Sequence, residues 1–266
     1  MSVFDELGDG IFRRRYESLD LNIGVVVGED AVLLIDSRAS HGQADVLREE
    51  LQTLTTLPIG WVVNTHFHWD HTWGNARFPE AELWGHETCR SEMVENGEAA
   101  RQAVLDWIPD EHREAVKEVA ITPPSNTFTE QASINIGRHI ELTYYGRGHT
   151  NSDIVITVDD VQFMGDLLEE GAPPSFGDSF PLDWGPTLGV VHNGYGVVVP
   201  GHGDVIDDDF GMAQWQEIEA VAELARYGHR ERADIARIID RGPYPPATLE
   251  VALTRAYAQL NHELCD

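Results

Sequence analysis

The chain has 266 residues, 42% of them hydrophobic, and a formal net charge of −28. That length suffices for one large α/β domain spanning 1–266 with a sizeable core, and the charge repels phosphate backbones, which excludes nucleic acid as a partner. No window approaches the roughly 18 apolar residues of a membrane span, and Met1 to Glu6 form neither a basic leader nor a long apolar stretch, so a cytoplasmic protein without membrane contact is expected.

Taken in chain order, strands are expected over 10–16, 22–27 and 31–35, with Gly28-Glu29-Asp30 as a hairpin turn. A helix follows over 43–55, where Val46, Leu47, Leu51 and Leu54 recur at helical spacing. Trp61-Val62-Val63 marks the next strand, over 60–64, and directly after it comes His66-Phe67-His68-Trp69-Asp70-His71. Ligands leaving the carboxyl end of a buried strand sit where α/β folds gather their chemistry. His66 and His68 lie two residues apart, so in an extended backbone they point the same way and can grip one ion through neutral imidazole nitrogens. Asp70 and His71 are adjacent and diverge unless the loop turns. Such a turn aims them at a second ion beside the first, an arrangement suited to two-metal hydrolysis with ions roughly 3.5–4 Å apart.

Further on, Glu82-Leu83-Trp84 reads as a short strand, and 87–119 as a charged helical insertion broken near Pro109. After Pro123-Pro124 a strand-rich second half repeats the plan of strands, ligand loop and helix, and such duplication builds two sheets packed face to face with helices outside. Three more metal-ligand candidates lie in it. His149 follows the strand-like run Ile140 to Tyr145, Asp166 follows Val161 to Met164 and Gly165, and His202 sits between Gly201 and Gly203 after the run Tyr195 to Pro200. Each has a neighbouring glycine, as a loop needs where the backbone bends close to an ion. The tail reads as a long helix over 212–239, ended by Pro243, Pro245 and Pro246, and a last helix over 249–260, so that C-terminal helices occupy about 210–262.

The HxHxDH run from His66 to His71, the GHT at Gly148 to Thr150, the GD at Gly165-Asp166 and the PGHG from Pro200 to Gly203 resemble the metallo-β-lactamase-fold superfamily of binuclear metallohydrolases. The resemblance implies a four-layer αββα sandwich of two mixed β-sheets flanked by helices. It implies that His66, His68 and His149 hold a first metal, that Asp70, His71 and His202 hold a second, and that Asp166 bridges them. Asp36, ending Val32 to Ile35, matches the family's early aspartate, which supports the ligand loop and does not bind metal. In the antibiotic-resistance branch the position of Asp166 is commonly cysteine, and a lysine further on grips the substrate carboxylate. Here Lys117 is the only lysine, and the bridging carboxylate is instead similar to the glyoxalase II and lactonase branches.

The function implied is a binuclear zinc hydrolase whose metal-bridging hydroxide cleaves an ester, lactone, thioester or amide bond of a small molecule, with Asp70 handling the proton. Iron and manganese also accept such ligands. The competing readings are an iron-dependent oxidoreductase of the same fold, resembling the persulfide dioxygenases, a binding or scaffold protein of the same fold without turnover, and β-lactam hydrolysis as a minor activity. The dioxygenases use only the first metal's ligands, so retention of Asp70, His71 and His202 favours two ions. Trp69, Arg147 and Phe176 are the candidate substrate contacts, with 170–183 as a substrate-facing lid and the hairpin at 16–21 covering the site from the opposite side. His86 and His192 are the two further histidines placed to approach the site, though capping or surface roles are expected for both. Cys89 and Cys265 are read as ordinary thiols without a bridge framework. Oligomeric state is left open by the sequence.

Overall fold

Alternation along the strands decides the layering. In β4 (Val32–Ile35) Leu33 and Ile35 turn toward one core while Val32 and Leu34 turn toward another, the period of two required of a strand buried on both faces. The structure is a computed structural model that describes residues 3–191 and 196–262. It sets this strand in the middle of a seven-stranded mixed sheet. The order is β1 (Asp5–Gly8), β2 (Ile11–Tyr16), β3 (Leu21–Val27), β4, β5 (Ile59–Val63), β6 (Glu82–His86) and β7 (Asn126–Phe128). Pairing is antiparallel from β1 to β4 and parallel from β4 to β7.

The second sheet has five strands, in the order β12 (Val197–Pro200), β11 (Val161–Gly165), β10 (Ile154–Val158), β9 (His139–Tyr144) and β8 (Gln131–Asn135). Only β11 and β12 pair in parallel. Between the sheets Val26, Leu33, Ile35 and Val63 meet Ile140, Leu142, Ile154, Ile156 and Phe163. The outer face of the first sheet is covered by α1 (His41–Leu54), whose Ala44, Leu47 and Leu51 pack on Ile23, Val25, Leu34 and Val62. The outer face of the second is covered by α6 (Pro181–Val191), α7 (Asp208–Arg230) and α8 (Pro246–Leu260), which bring Trp184, Leu188, Ile218 and Leu249 onto Val155, Met164 and Val198. These are the four layers, helix, sheet, sheet and helix, that the duplicated pattern anticipates.

Between β5 and β6 lies the single turn α2 (Trp69–Thr72), and between β6 and β7 the insertion forms three helices, α3 (Glu87–Glu95), α4 (Gly97–Trp107) and α5 (Asp110–Lys117). Pro109 stands at the N-cap of α5, so the break falls where the sequence puts it. Val104, Ile108, Val116 and Val119 pack on Trp73, which ties the insertion to the ligand loop.

The long C-terminal helix differs from expectation. It starts at Asp208, because the Asp207 carboxylate accepts the Phe210 N–H at 2.9 Å, and it ends at Arg230. Arg232 has a φ of +51°, and two 3-10 turns follow, at Ile235–Arg237 and Ile239–Arg241. Ile238 packs with Leu224, Ala225 and Leu253, so these turns continue the apolar spacing of a helix without being one. Strand β1 was not expected, being an edge strand too polar to stand out. The start of the expected strand at Tyr195, together with His192 and Cys265, lies outside the described residues. No helix among the described residues is long and apolar enough to cross a membrane.

Candidate metal centre

The carboxyl ends of β4, β5, β11 and β12 deliver Asp36, the His66–His71 loop, Asp166 and His202 to one edge of the sandwich, where α/β sheets place ligands. The two sheets are hooked together there. The Ile154 N–H donates to the Thr65 carbonyl at 2.9 Å, and the Asn22 amide donates to the carbonyls of Pro200 and Gly203, both at 2.9 Å.

Asp36 organises the ligand loop. It is buried, with a φ of +66°, a region that aspartate enters more easily than most residues. One carboxylate oxygen accepts the Thr65 N–H at 2.8 Å, and the other accepts the Thr65 hydroxyl at 2.9 Å and His71 Nδ1 at 2.8 Å. The turn α2 solves the divergence of Asp70 and His71, because a helical backbone after the extended His68 swings both toward the centre. Gly74 lets this loop close, since a Cβ there would collide with the Ser37 carbonyl.

Five imidazoles converge, and each has one ring nitrogen occupied. His66 Nδ1 meets the Thr65 hydroxyl at 3.0 Å and His71 Nδ1 meets Asp36. His149 Nδ1 lies 3.1 Å from the Ser175 carbonyl, and His202 Nδ1 lies 2.7 Å from the Leu19 carbonyl. In His68 the roles reverse, with Nε2 3.1 Å from Asp178 Oδ2. A proton held by each acceptor turns the other nitrogen toward the centre, where its lone pair is available to a cation that displaces any proton there, as metal-ligating histidines are usually held.

The facing atoms form two groups, His66, His68, His149 and Asp166, and Asp70, His71 and His202, each with its ligand atoms within 4.8 Å of one another. Asp166 touches both. Its Oδ2 is 3.6 Å from His66 Nε2, 3.3 Å from His149 Nε2 and 3.4 Å from His202 Nε2, while Oδ1 is 3.3 Å from His71 Nε2. A Cβ at position 201 would collide with this carboxylate, which is why glycine precedes His202. Asp70 Oδ2 stands 3.4 Å from His202 Nε2 and 3.7 Å from His71 Nε2.

The charges respond to this crowding. Burial holds His66 well below the usual imidazole range, and burial with neighbouring imidazoles brings His149 down to about 4. Burial opposes charge on His202 too, yet Asp166 and Asp70 overcome it and raise His202 to about 10. Against its own burial, Asp166 is pulled well below the carboxylate range by His71 and His202. Buried His66 Nε2 and Asp166 Oδ1 have no hydrogen-bond partner. Unpartnered buried acceptors among imidazoles and carboxylates are what one or more divalent cations would satisfy.

Of the other expected residues, Trp69 lines the cavity above the centre. Phe176 is 2% exposed and supports the site from beneath, packed on Trp184 and Tyr244. Arg147 lies away from the cavity, its Nη2 2.8 Å from Asp183 and its guanidinium over Phe180. His86 caps α3, stacks on Tyr144 and meets the Thr129 carbonyl at 2.9 Å, a structural role. Cys89 is fully buried, and burial pushes its thiol up. The 16–21 hairpin does reach the site, through the Leu19 carbonyl on His202. The 170–183 loop supplies Ser175 and Asp178.

Glu169 and Asp178 were missed by the sequence reading. Glu169 Oε1 lies 3.8 Å from His149 Nδ1 and accepts the Ser175 N–H at 2.8 Å, and burial followed by Asp166 pushes its carboxyl up to about 8. Glu169 follows Asp166 by three residues, a spacing that could have flagged it. Asp178 sits in an irregular loop and gave no signal.

The chain belongs to the metallo-beta-lactamase superfamily, whose family model matches residues 19–216. A metallo-beta-lactamase type 2 of Bacillus cereus is 23% identical over 200 residues, 72% of this chain and 70% of that protein. The solved structure of TMB-1 superposes with a TM-score of 0.63 at 18% identity, over 81% of this chain and 96% of that one. A double mutant of the sec-alkyl sulfatase PisA1 gives a TM-score of 0.78 at 14% identity, over 97% of this chain and 50% of that one. At these identities the structural likeness carries the fold alone. Superfamily membership and the His/Asp cluster together support a metal-dependent hydrolase in general terms.

Proposed function

We propose that this protein is a binuclear zinc hydrolase that cleaves an ester, lactone, thioester or amide bond of a small molecule. The observation that carries the reading is Asp166, whose two oxygens reach both donor groups. In this reading His66, His68 and His149 hold one ion, Asp70, His71 and His202 hold the other, and Asp166 lies between them. Two divalent ions bound there would bring water toward deprotonation near neutral pH and polarise the carbonyl under attack.

The chain's own residues do the rest. Asp36, Thr65, Asp178 and the carbonyls of Ser175 and Leu19 fix the imidazoles in orientation. Asp70, which turns Oδ2 toward His202 and His71, takes the proton on its other carboxylate oxygen. A cavity of about 350 Å³ above the donors receives the substrate, with Trp69 as one wall. The net charge of −28 favours a small molecule over nucleic acid.

Elemental analysis of the purified protein with Asp166→Ala and His202→Ala tests the assignment. About two zinc per chain, reduced in both variants, is the expected result for a two-ion site. One iron per chain, unchanged in His202→Ala, would overturn it and point to an oxidoreductase.

A further inference from the structure

The cavity over the donors has an apolar side and an acidic side. Its apolar side is built from Trp69 and Trp73 of the ligand loop, Met93 of α3, Ala100 and Val104 of α4, and Ile121. The aromatic surface runs outward, for the Trp69 ring lies 5.6 Å from Trp73 and 5.9 Å from Trp107, which is 60% exposed. An exposed tryptophan continuous with a buried apolar wall is an entry path for an apolar group.

Apart from the donors, the carboxylates lining this space are Glu92 and Asp178, beside the buried carboxyl of Glu169, and among the described residues no lysine or arginine lines it. Among the described residues the Glu92 carboxylate is hydrogen-bonded only to neutral amides, those of Asn96 at 2.7 Å and Asn151 at 3.0 Å, with no cation in an ion pair with it. Arg255 stands in an adjoining groove that shares Glu92 and Asp178. Its Nε donates to the Ser179 carbonyl, and its guanidinium lies over Phe180. An anionic tail seated in the cavity over the donors therefore meets carboxylates and no cationic side chain, whereas the adjoining groove offers Arg255, and the repulsion in the cavity is strengthened by its low-dielectric wall. Uncharged hydrocarbon meets tryptophan, methionine and valine instead.

We propose that the substrate carries an uncharged, apolar acyl or alkyl group that seats between Trp69 and helix α4, and that a carboxylate at that position is discriminated against. This deepens and rests on the hydrolase reading, and it separates the protein from hydrolases that grip a substrate carboxylate.

The test is binding to the zinc-loaded full chain, read by tryptophan fluorescence, of three hydroxamates with the same metal-binding head. Acetohydroxamate has no tail, octanoyl hydroxamate has an apolar tail, and the monohydroxamate of octanedioic acid ends in a carboxylate. The octanoyl compound is expected to bind at least about tenfold more tightly than either of the others. Ala100→Trp, on an exposed position of α4, is expected to lower the ratio of octanoyl to acetohydroxamate affinity measured in that variant to near one. Glu92→Gln narrows the gap between the octanoyl and carboxylate tails. Equal or tighter binding of the carboxylate tail overturns the proposal, as does an octanoyl compound that binds no better than acetohydroxamate or fails to bind. Binding is read without turnover, so a protein that prefers the octanoyl tail yet hydrolyses no ester, lactone, thioester or amide would sink the hydrolase reading and leave the assignment of the chamber standing.

Discussion

The loops that carry the donors and the helices that roof the cavity are fixed in place by different forces. In the loops the residues that carry and aim the donors are buried and polar. Asp36, Thr65, His66, His71 and His149 are almost wholly removed from solvent, and each imidazole is aimed by a specific acceptor. In the roof the fixing contacts are apolar, a small cluster of Trp73, Val104, Ile108, Val116 and Val119, while the outer surface carries exposed ion pairs such as Arg101 with Glu98 and Lys117 with Glu114. Hydrogen bonds constrain direction to within about 30°, whereas apolar packing sets only proximity. In the proposed reading the metal chemistry sits in the part fixed by hydrogen bonds and the substrate's tail meets the part fixed by packing.

Substitutions in the two regions should separate these roles. The largest effect is expected for Asp166→Ala, which removes the carboxylate shared by both donor groups. Its loss of metal affinity should exceed the roughly 100-fold that losing an outer partner costs, and a chelator competition that finds wild-type affinity would end the bridging assignment. Next come Asp36→Asn and Asp178→Asn. Asparagine tolerates the φ of +66° at position 36, so backbone strain is not introduced, and what is lost is the charge and one of the two accepting oxygens, replaced by an NH2 that opposes its former donor. Each should weaken metal binding by about 10- to 100-fold while far-ultraviolet circular dichroism stays native. An unchanged affinity in Asp178→Asn would mean that His68 is oriented by something else.

In the roof, Ile108→Val should lower unfolding stability by about 0.5–1.5 kcal/mol in urea titration. Metal content should not move, and a loss of metal would show that roof and floor are coupled more tightly than their contacts imply. Smallest of all, Glu98→Gln breaks an exposed pair whose carboxylate is 81% accessible. Stability should stay within about 0.5 kcal/mol of the parent, and a larger change in the same titration would mean the roof depends on its surface charges.

Legibility in the sequence follows the same division. His66 to His71 stand within six residues, and their chemistry is readable because neighbours in sequence are neighbours in space whatever the fold does. His149, Asp166 and His202 are readable from glycine contexts after apolar runs. Asp178 is not, because its partner is His68, 110 residues away, and the loop between α6 and the second sheet has no periodicity to place it. Phe176 and Arg147 were expected at the substrate and are instead a support beneath the site and a partner of Asp183. An aromatic or a cation in a loop has several good partners, and only packing chooses among them.

The sequence by itself determined the layers, since alternation in the strands and spacing in the helices say which faces must be buried, and it singled out, with the family resemblance, the imidazoles and carboxylates that the fold brings together. Tertiary structure alone decided the length of the last long helix, the acceptor that aims each imidazole, and the charge and shape of the cavity. Those properties belong to groups brought together from loops far apart in the chain, and their energies depend on distance and burial, which exist only once the two sheets have closed on each other.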